Sequence, residues 1–166
     1  MAISWQRHAV FSGVILTSLV LPIGDAQTTS APKRAGGPAV QQKFFGQWKL
    51  NESKSNFTHA GDHKGLQWRS YEPDGDRVKV SWGDEERRDR SYSAKCDGTI
   101  EPAASGDIRC WQAGPNTIEG EQLSKSDALH RYYRRTVSTD GKSMTITWYS
   151  DATRKRPTDR FVYDKQ

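Results

Sequence analysis

The sequence predicts an all-β domain: an antiparallel up-and-down (meander) β-barrel of about 8–10 strands, with a β-sandwich as the alternative. Three observations predict it. Short stretches alternate apolar and polar residues, most cleanly where Val78, Val80 and Trp82 oppose Lys79 and Ser81. Turn signals recur between these stretches: Pro73-Asp74-Gly75-Asp76, Gly114-Pro115-Asn116 and Thr139-Asp140-Gly141. No stretch carries the apolar spacing of a substantial amphipathic helix. Strands with one apolar face bury it by curling into a barrel, and closure removes the exposed edges.

The N-terminus reads differently from the rest. Arg7 and His8 precede an apolar run from Ala9 to Ile23, and Gly24-Asp25-Ala26 offers the small residues of a cleavage site. Residues 1–26 are therefore expected to be a signal peptide. The run is shorter than the roughly 20 residues a membrane span needs. No membrane span is expected after cleavage, and the product is expected to be secreted or periplasmic. Residues 27–42, rich in Ser, Thr, Gly and Pro, lack periodicity and read as a disordered linker. Residues 43–166 form the barrel domain, large enough for a single core.

The first strand is expected at 46–51, where Gly46 allows a tight approach and Trp48 and Leu50 share one face. A Ser/Asn/Gly-rich connection leads to a strand at 66–71, with Leu66 and Trp68 on the inner side and Gln67, Arg69 and Tyr71 on the outer. The strand at 78–82 follows, then the charged hairpin tip 83–90. Strands at 91–96 and 107–112 flank a connection from Asp97-Gly98 to Gly106-Asp107. Further strands are expected at 117–123, 129–138 and 142–150, the last with Met144, Ile146 and Trp148 on one face. A basic, exposed loop at 151–157 leads to the final strand at 158–164, which places Phe161 and Tyr163 together.

The formal net charge is +5, spread along the chain rather than clustered. That distribution suits solubility, and equally a leaning toward anionic partners. Two cysteines, Cys96 and Cys110, fall on inward positions of neighbouring strands. In an oxidising compartment they are expected to form a disulfide; two buried free thiols are the alternative.

With the apolar face inward, the interior collects Trp48, Trp68, Trp82, Tyr92, Tyr133, Trp148, Phe161 and Tyr163. Such an interior either grips a flat or acyl ligand or packs as a filled core. A continuous void of roughly 300 Å³ or more marks the first case. Leu129 and Val137 place Arg131, Tyr133 and Arg135 on the same inward face. An inward arginine pair implies a carboxylate, phosphate or ordered water nearby; with an anionic head group in that place, the expected ligand-binding set is Trp68, Trp82, Arg131, Tyr133, Arg135, Trp148 and Tyr163. The competing reading puts both arginines near the barrel mouths, reaching solvent, or shifts the register by a bulge.

Gly46-Gln47-Trp48 resembles the glycine-x-tryptophan signature on the first strand of the lipocalin and fatty-acid-binding (calycin) superfamily. The longer string Phe45 to Leu50, with Asn56-Phe57 after it, resembles the opening of fatty-acid-binding proteins, and Tyr163-Asp164-Lys165 their closing strand. The chain is also similar to small exported bacterial lipocalin-like proteins of unsettled function, through Trp48-Lys49-Leu50-Asn51 and the turn Tyr71 to Gly75. The resemblance covers roughly Phe45 to Gln166 and is specific only at its ends. It implies a barrel holding a small hydrophobic or amphipathic anionic ligand, in a monomer without cofactor. It also implies a structural latch in which Arg160 packs across Trp48 beside Gly46, a cation–π contact of about 1 kcal/mol. Thr139-Asp140 is followed by Gly141, so the lipocalin middle motif is not matched. Arg160 stands three before Tyr163, on the opposite face, so the carboxylate site of fatty-acid-binding proteins does not transfer. The connection from Thr58 to Gly65 is also too short for their helical lid.

Enzymatic signatures are thin: the chain has no Gly-x-Ser-x-Gly, phosphate loop or dinucleotide fingerprint. His59, Asp62 and His63 lie in a polar loop and read as solvated rather than as a metal site. Glu119 and Glu121 share an outer face where no cleft is implied. Arg131-Tyr132-Tyr133-Arg134-Arg135 has a basic-aromatic look, but alternation and export argue against nucleic acid. The expected function is thus a non-enzymatic carrier or sensor. The alternative is a protein-interaction module such as a periplasmic protease inhibitor. Bacterial inhibitors of that kind also open on a Gly-x-Trp strand, and their leading segment, here 27–43, enters the protease cleft.

Overall fold

The computed structural model describes residue 40 and residues 42–58, 63–87, 89–125 and 130–166. The expected signal peptide, nearly all of the linker, His59, Asp62 and Leu129 lie outside these. Ten antiparallel strands form one meander that nearly closes into a barrel. They are β1 (Gly46–Leu50), β2 (Trp68–Asp74), β3 (Arg77–Gly83), β4 (Arg90–Ala94), β5 (Asp97–Glu101), β6 (Asp107–Gly114), β7 (Thr117–Leu123), β8 (His130–Val137), β9 (Ser143–Tyr149) and β10 (Pro157–Lys165). The sheet order is β4-β3-β2-β1-β10-β9-β8-β7-β6-β5, so β10 lies between β1 and β9 and the seam falls between β4 and β5. This architecture is compatible with a calycin-like fold.

One strand has no counterpart in the expected set. The connection after Cys96 contains β5, a short edge strand paired only with β6. Its Ile100 is 62% exposed and Gly98 takes φ of 94°, so neither alternation nor β-propensity marks it.

The register of β2 also differs from expectation. Trp48 pairs with Arg69, Gly46 with Tyr71, Arg69 with Trp82 and Tyr71 with Val80. Directly paired residues share a face, so Arg69 and Tyr71 point inward and Trp68 points out. A slip of one residue exchanges every side chain between faces, and the two-residue turn at Gly75-Asp76 sets this register. The assignment by hydrophobicity, with Trp68 inside and Arg69 outside, is thereby reversed.

The core runs through Val40, Phe44, Trp48, Tyr71, Val78, Val80, Ile108, Ile118, Met144, Ile146 and Tyr163. Trp48 is fully buried and its indole N–H donates to the Phe44 carbonyl at 2.9 Å. The cation over its ring is Lys165, with Nζ 5.1 Å from the centroid. Arg160, expected in that place, lies one position from inward Phe161, faces outward and donates to the Lys54 carbonyl at 3.1 Å. Gly46 takes φ of 122°, and a Cβ there would meet Lys165 Cε at 3.1 Å.

Two contacts staple the seam. Cys96, just after β4, is disulfide-bonded to Cys110 on β6, with Cα atoms 4.2 Å apart. Arg77 on β3 pairs with the buried carboxylate of Glu101 on β5. The outer face of β6, β7 and β8 is laced by polar pairs: Glu119 with Arg134 at 2.6 Å, and Glu121 with His130 at 3.0 Å and Arg109 at 3.3 Å. The loop between β9 and β10 is not wholly exposed, because Arg154 tucks against Trp111, 5.1 Å from its ring centroid.

Candidate functional site

Two arginines are enclosed by the barrel. Arg69 of β2 is 5% exposed and Arg135 of β8 is 3% exposed. Alternation puts each of them inward, Arg69 between Trp48 and Trp82 and Arg135 between Ile118 and Ile146 across the sheet. Neither forms an ion pair with a carboxylate among the described residues. Their partners are phenols. Arg135 Nη2 donates to Tyr92 Oη at 2.8 Å, and Arg69 Nε donates to Tyr163 Oη at 3.2 Å. The Tyr163 hydroxyl in turn donates to the Leu66 carbonyl at 3.0 Å.

Aromatic faces complete the enclosure. The Arg135 guanidinium lies 4.2 Å from the Tyr133 centroid and 5.6 Å from that of Tyr71. The Arg69 guanidinium stands 5.8 Å from Trp82. Trp82 packs edge-on to Tyr92, and Trp148 edge-on to Tyr133. Tyr133 reaches across the barrel wall because its neighbour on β7 is Gly120. A Cβ at Gly120 would come within 2.4 Å of the Tyr133 hydroxyl and 2.5 Å of the Arg109 carbonyl.

Hydrogen-bonding capacity is left over here. Arg135 Nε and the hydroxyls of Tyr71 and Tyr133 are buried without a hydrogen-bond partner; Tyr133 stands beside Tyr92 without a bond of ordinary geometry. Burial raises the pKa of the Tyr71 phenol and raises that of Tyr133 well above the ordinary tyrosine value. Both therefore stay neutral at physiological pH. Burial works against the charge on the two arginines, yet the surrounding phenols leave both pKa values above the ordinary arginine value. The interior thus holds two cations and neutral donors. A buried charge without a counter-charge is costly, and donors of this kind can accept an anion.

The structure brings Trp82, Tyr133, Arg135, Trp148 and Tyr163 into one interior. It separates two residues from them. Trp68 faces outward, beside a depression of about 210 Å³ that Lys49, Gln67 and Glu85 also line. Arg131 occupies an inward position by register, opposite Gln122, but sits near the end of β8 and is exposed. The second buried arginine is Arg69, not Arg131. Sequence reasoning missed Arg69 and Tyr71, although counting back from the Gly75-Asp76 turn places both opposite inward residues of β3.

Trp82 and Trp148 are only half-buried. Each lies near the end of its strand, where β3 passes to β4 and β9 to β10. Arg131 is near this same end. Phe44 and Trp48 are buried toward the opposite end, where β1 begins. A wider groove of about 870 Å³, lined by Asn51, Glu52, Lys64, Asp84 and Asp164 among others, lies away from the interior aromatics and contains none of them. His63 stacks on Phe57 at 5.0 Å and faces Glu52 at 3.8 Å, a packing role. No family model matches this chain, and no curated protein matches it.

Proposed function

We propose that this protein is a non-enzymatic binder of a small amphipathic anion, acting as an exported carrier or sensor. The observation that carries this reading is the pair of buried guanidinium groups, Arg69 and Arg135, with only neutral phenols as partners among the described residues. A ligand's acidic group would take up the remaining N–H and O–H donors. Its apolar body would lie along Trp82 and Trp148, leaving by the end where both are half-buried. Much of the interior is filled by Tyr71, Tyr133 and Tyr163, which matches the packed-core alternative read from the sequence and not the open void, so on this reading ligand uptake shifts aromatic side chains. The disulfide supports an oxidising compartment, and with it the expectation of export.

The test is tryptophan fluorescence titration with dodecanoate against dodecyltrimethylammonium, two twelve-carbon probes of opposite charge. Saturable binding of the anion alone is expected. Arg135→Met should weaken it at least tenfold, since a charge-assisted hydrogen bond in a dry site is worth roughly 1.5–3 kcal/mol. Equal response to both probes would leave the interior arginines without a binding role.

A further inference from the structure

We infer that the acidic group this barrel receives is a doubly charged oxyanion of the phosphate-monoester class rather than a carboxylate. The inference rests on the binding reading above and refines it. Two fixed cations share one interior: the Arg69 guanidinium lies 5.8 Å from the Trp82 ring, that of Arg135 lies 5.9 Å from the Tyr92 ring, and these two rings pack edge-on. Two like charges enclosed in one interior repel each other. The inward carboxylates on other strands are held elsewhere: Glu101 is paired with Arg77 at the seam, and Asp159, partly exposed near the start of β10, accepts from the Thr58 backbone N–H at 2.8 Å. The phenols are neutral, so no described residue balances the interior charge.

A monoanion would neutralise one guanidinium and leave the other buried and uncompensated. A dianion neutralises both. The donor count agrees. Arg135 Nε, Tyr71 Oη and Tyr133 Oη are unused, and the guanidinium groups carry further N–H donors. The three equivalent oxygens of a phosphate monoester, which share two charges, suit donors arriving from β2 and β8. A planar carboxylate presents its two oxygens in a single plane.

The experiment is isothermal titration calorimetry at pH 8 on the oxidised protein. Four probes are compared: dodecyl phosphate, its methyl diester, dodecanoate and inorganic phosphate. The methyl diester keeps a phosphate centre but carries one charge fewer. Dodecyl phosphate should bind at least tenfold more tightly than both the diester and dodecanoate. The Arg69→Met variant should erase that preference. If Arg69→Met does not fold, Arg69→Gln serves, and the wild-type comparison decides in either case. Inorganic phosphate binding as tightly as dodecyl phosphate also supports the inference, and identifies a free ion rather than a head group. Dodecanoate or the diester binding as tightly as the monoester overturns the inference while leaving the anion-binding reading intact. No binding by any probe overturns both.

Discussion

A buried arginine is an expensive residue to keep for structural reasons alone. Replacing a buried ionic group with an apolar one of similar volume is often neutral or stabilising. If Arg135 serves a ligand, Arg135→Met should leave the apo protein as stable as the parent or more so, while binding falls. Thermal unfolding of both proteins checks this. The tyrosines around it give a second signature. Burial raises the folded-state pKa of Tyr71 and Tyr133 above the ordinary value of 10.0. Below pH 10 both folded and unfolded chains keep these phenols protonated, and their contribution is unaffected by pH. Above it the unfolded chain releases protons that the folded chain retains, so stability falls as pH rises toward the folded-state values. Chemical denaturation between pH 8 and 11 should show that decline, and Tyr133→Phe should make it shallower.

Single strands show what was legible and what was not. The strand around Val78 to Trp82 announces itself because only one face is apolar, and β9 does so for the same reason. β2 misleads, because its inner face carries an arginine and a tyrosine while its outer face carries a tryptophan. Hydrophobicity then points the wrong way, and only pairing through the turn corrects it. β5 is silent because an edge strand with an exposed isoleucine has no pattern to read. The site followed the same division. The Arg135 and Tyr133 pairing was visible in the alternation of β8, while Arg69 was hidden by the register of β2. Glycines give element-level tests. Gly120→Ala should destabilise through its close approach to the Arg109 carbonyl, by roughly 1–3 kcal/mol, read as a lowered denaturation midpoint. Gly46→Ala forces a side chain into a backbone conformation that disfavours one and should cost a similar amount.

At the scale of the whole molecule, the meander leaves one seam, and the disulfide crosses beside it. Cys96 and Cys110 are separated by 14 positions, a loop whose closure is worth about 3 kcal/mol in the chain-entropy account. Reduction should lower unfolding stability by about that amount, measured by denaturation with and without reductant. Reduction should also loosen the wall that holds Tyr92 on β4, and with it the hydrogen bond to Arg135. Affinity for anionic probes should fall alongside stability.

The position of β10 between β1 and β9 carries a consequence for how the chain reaches this state. The opening strand acquires one of its two neighbours only when the closing strand arrives. Trp48 cannot complete its cage until Lys165 is in place. A ribosome or a translocation channel still holding β10 therefore holds an unclosed sheet, with its apolar face available to chaperones and still easily unwound. Closure becomes a late, long-range event with a large loop to collect, which makes folding slow relative to helical domains of equal size. Such a barrel commits to its final form only after its last strand is free.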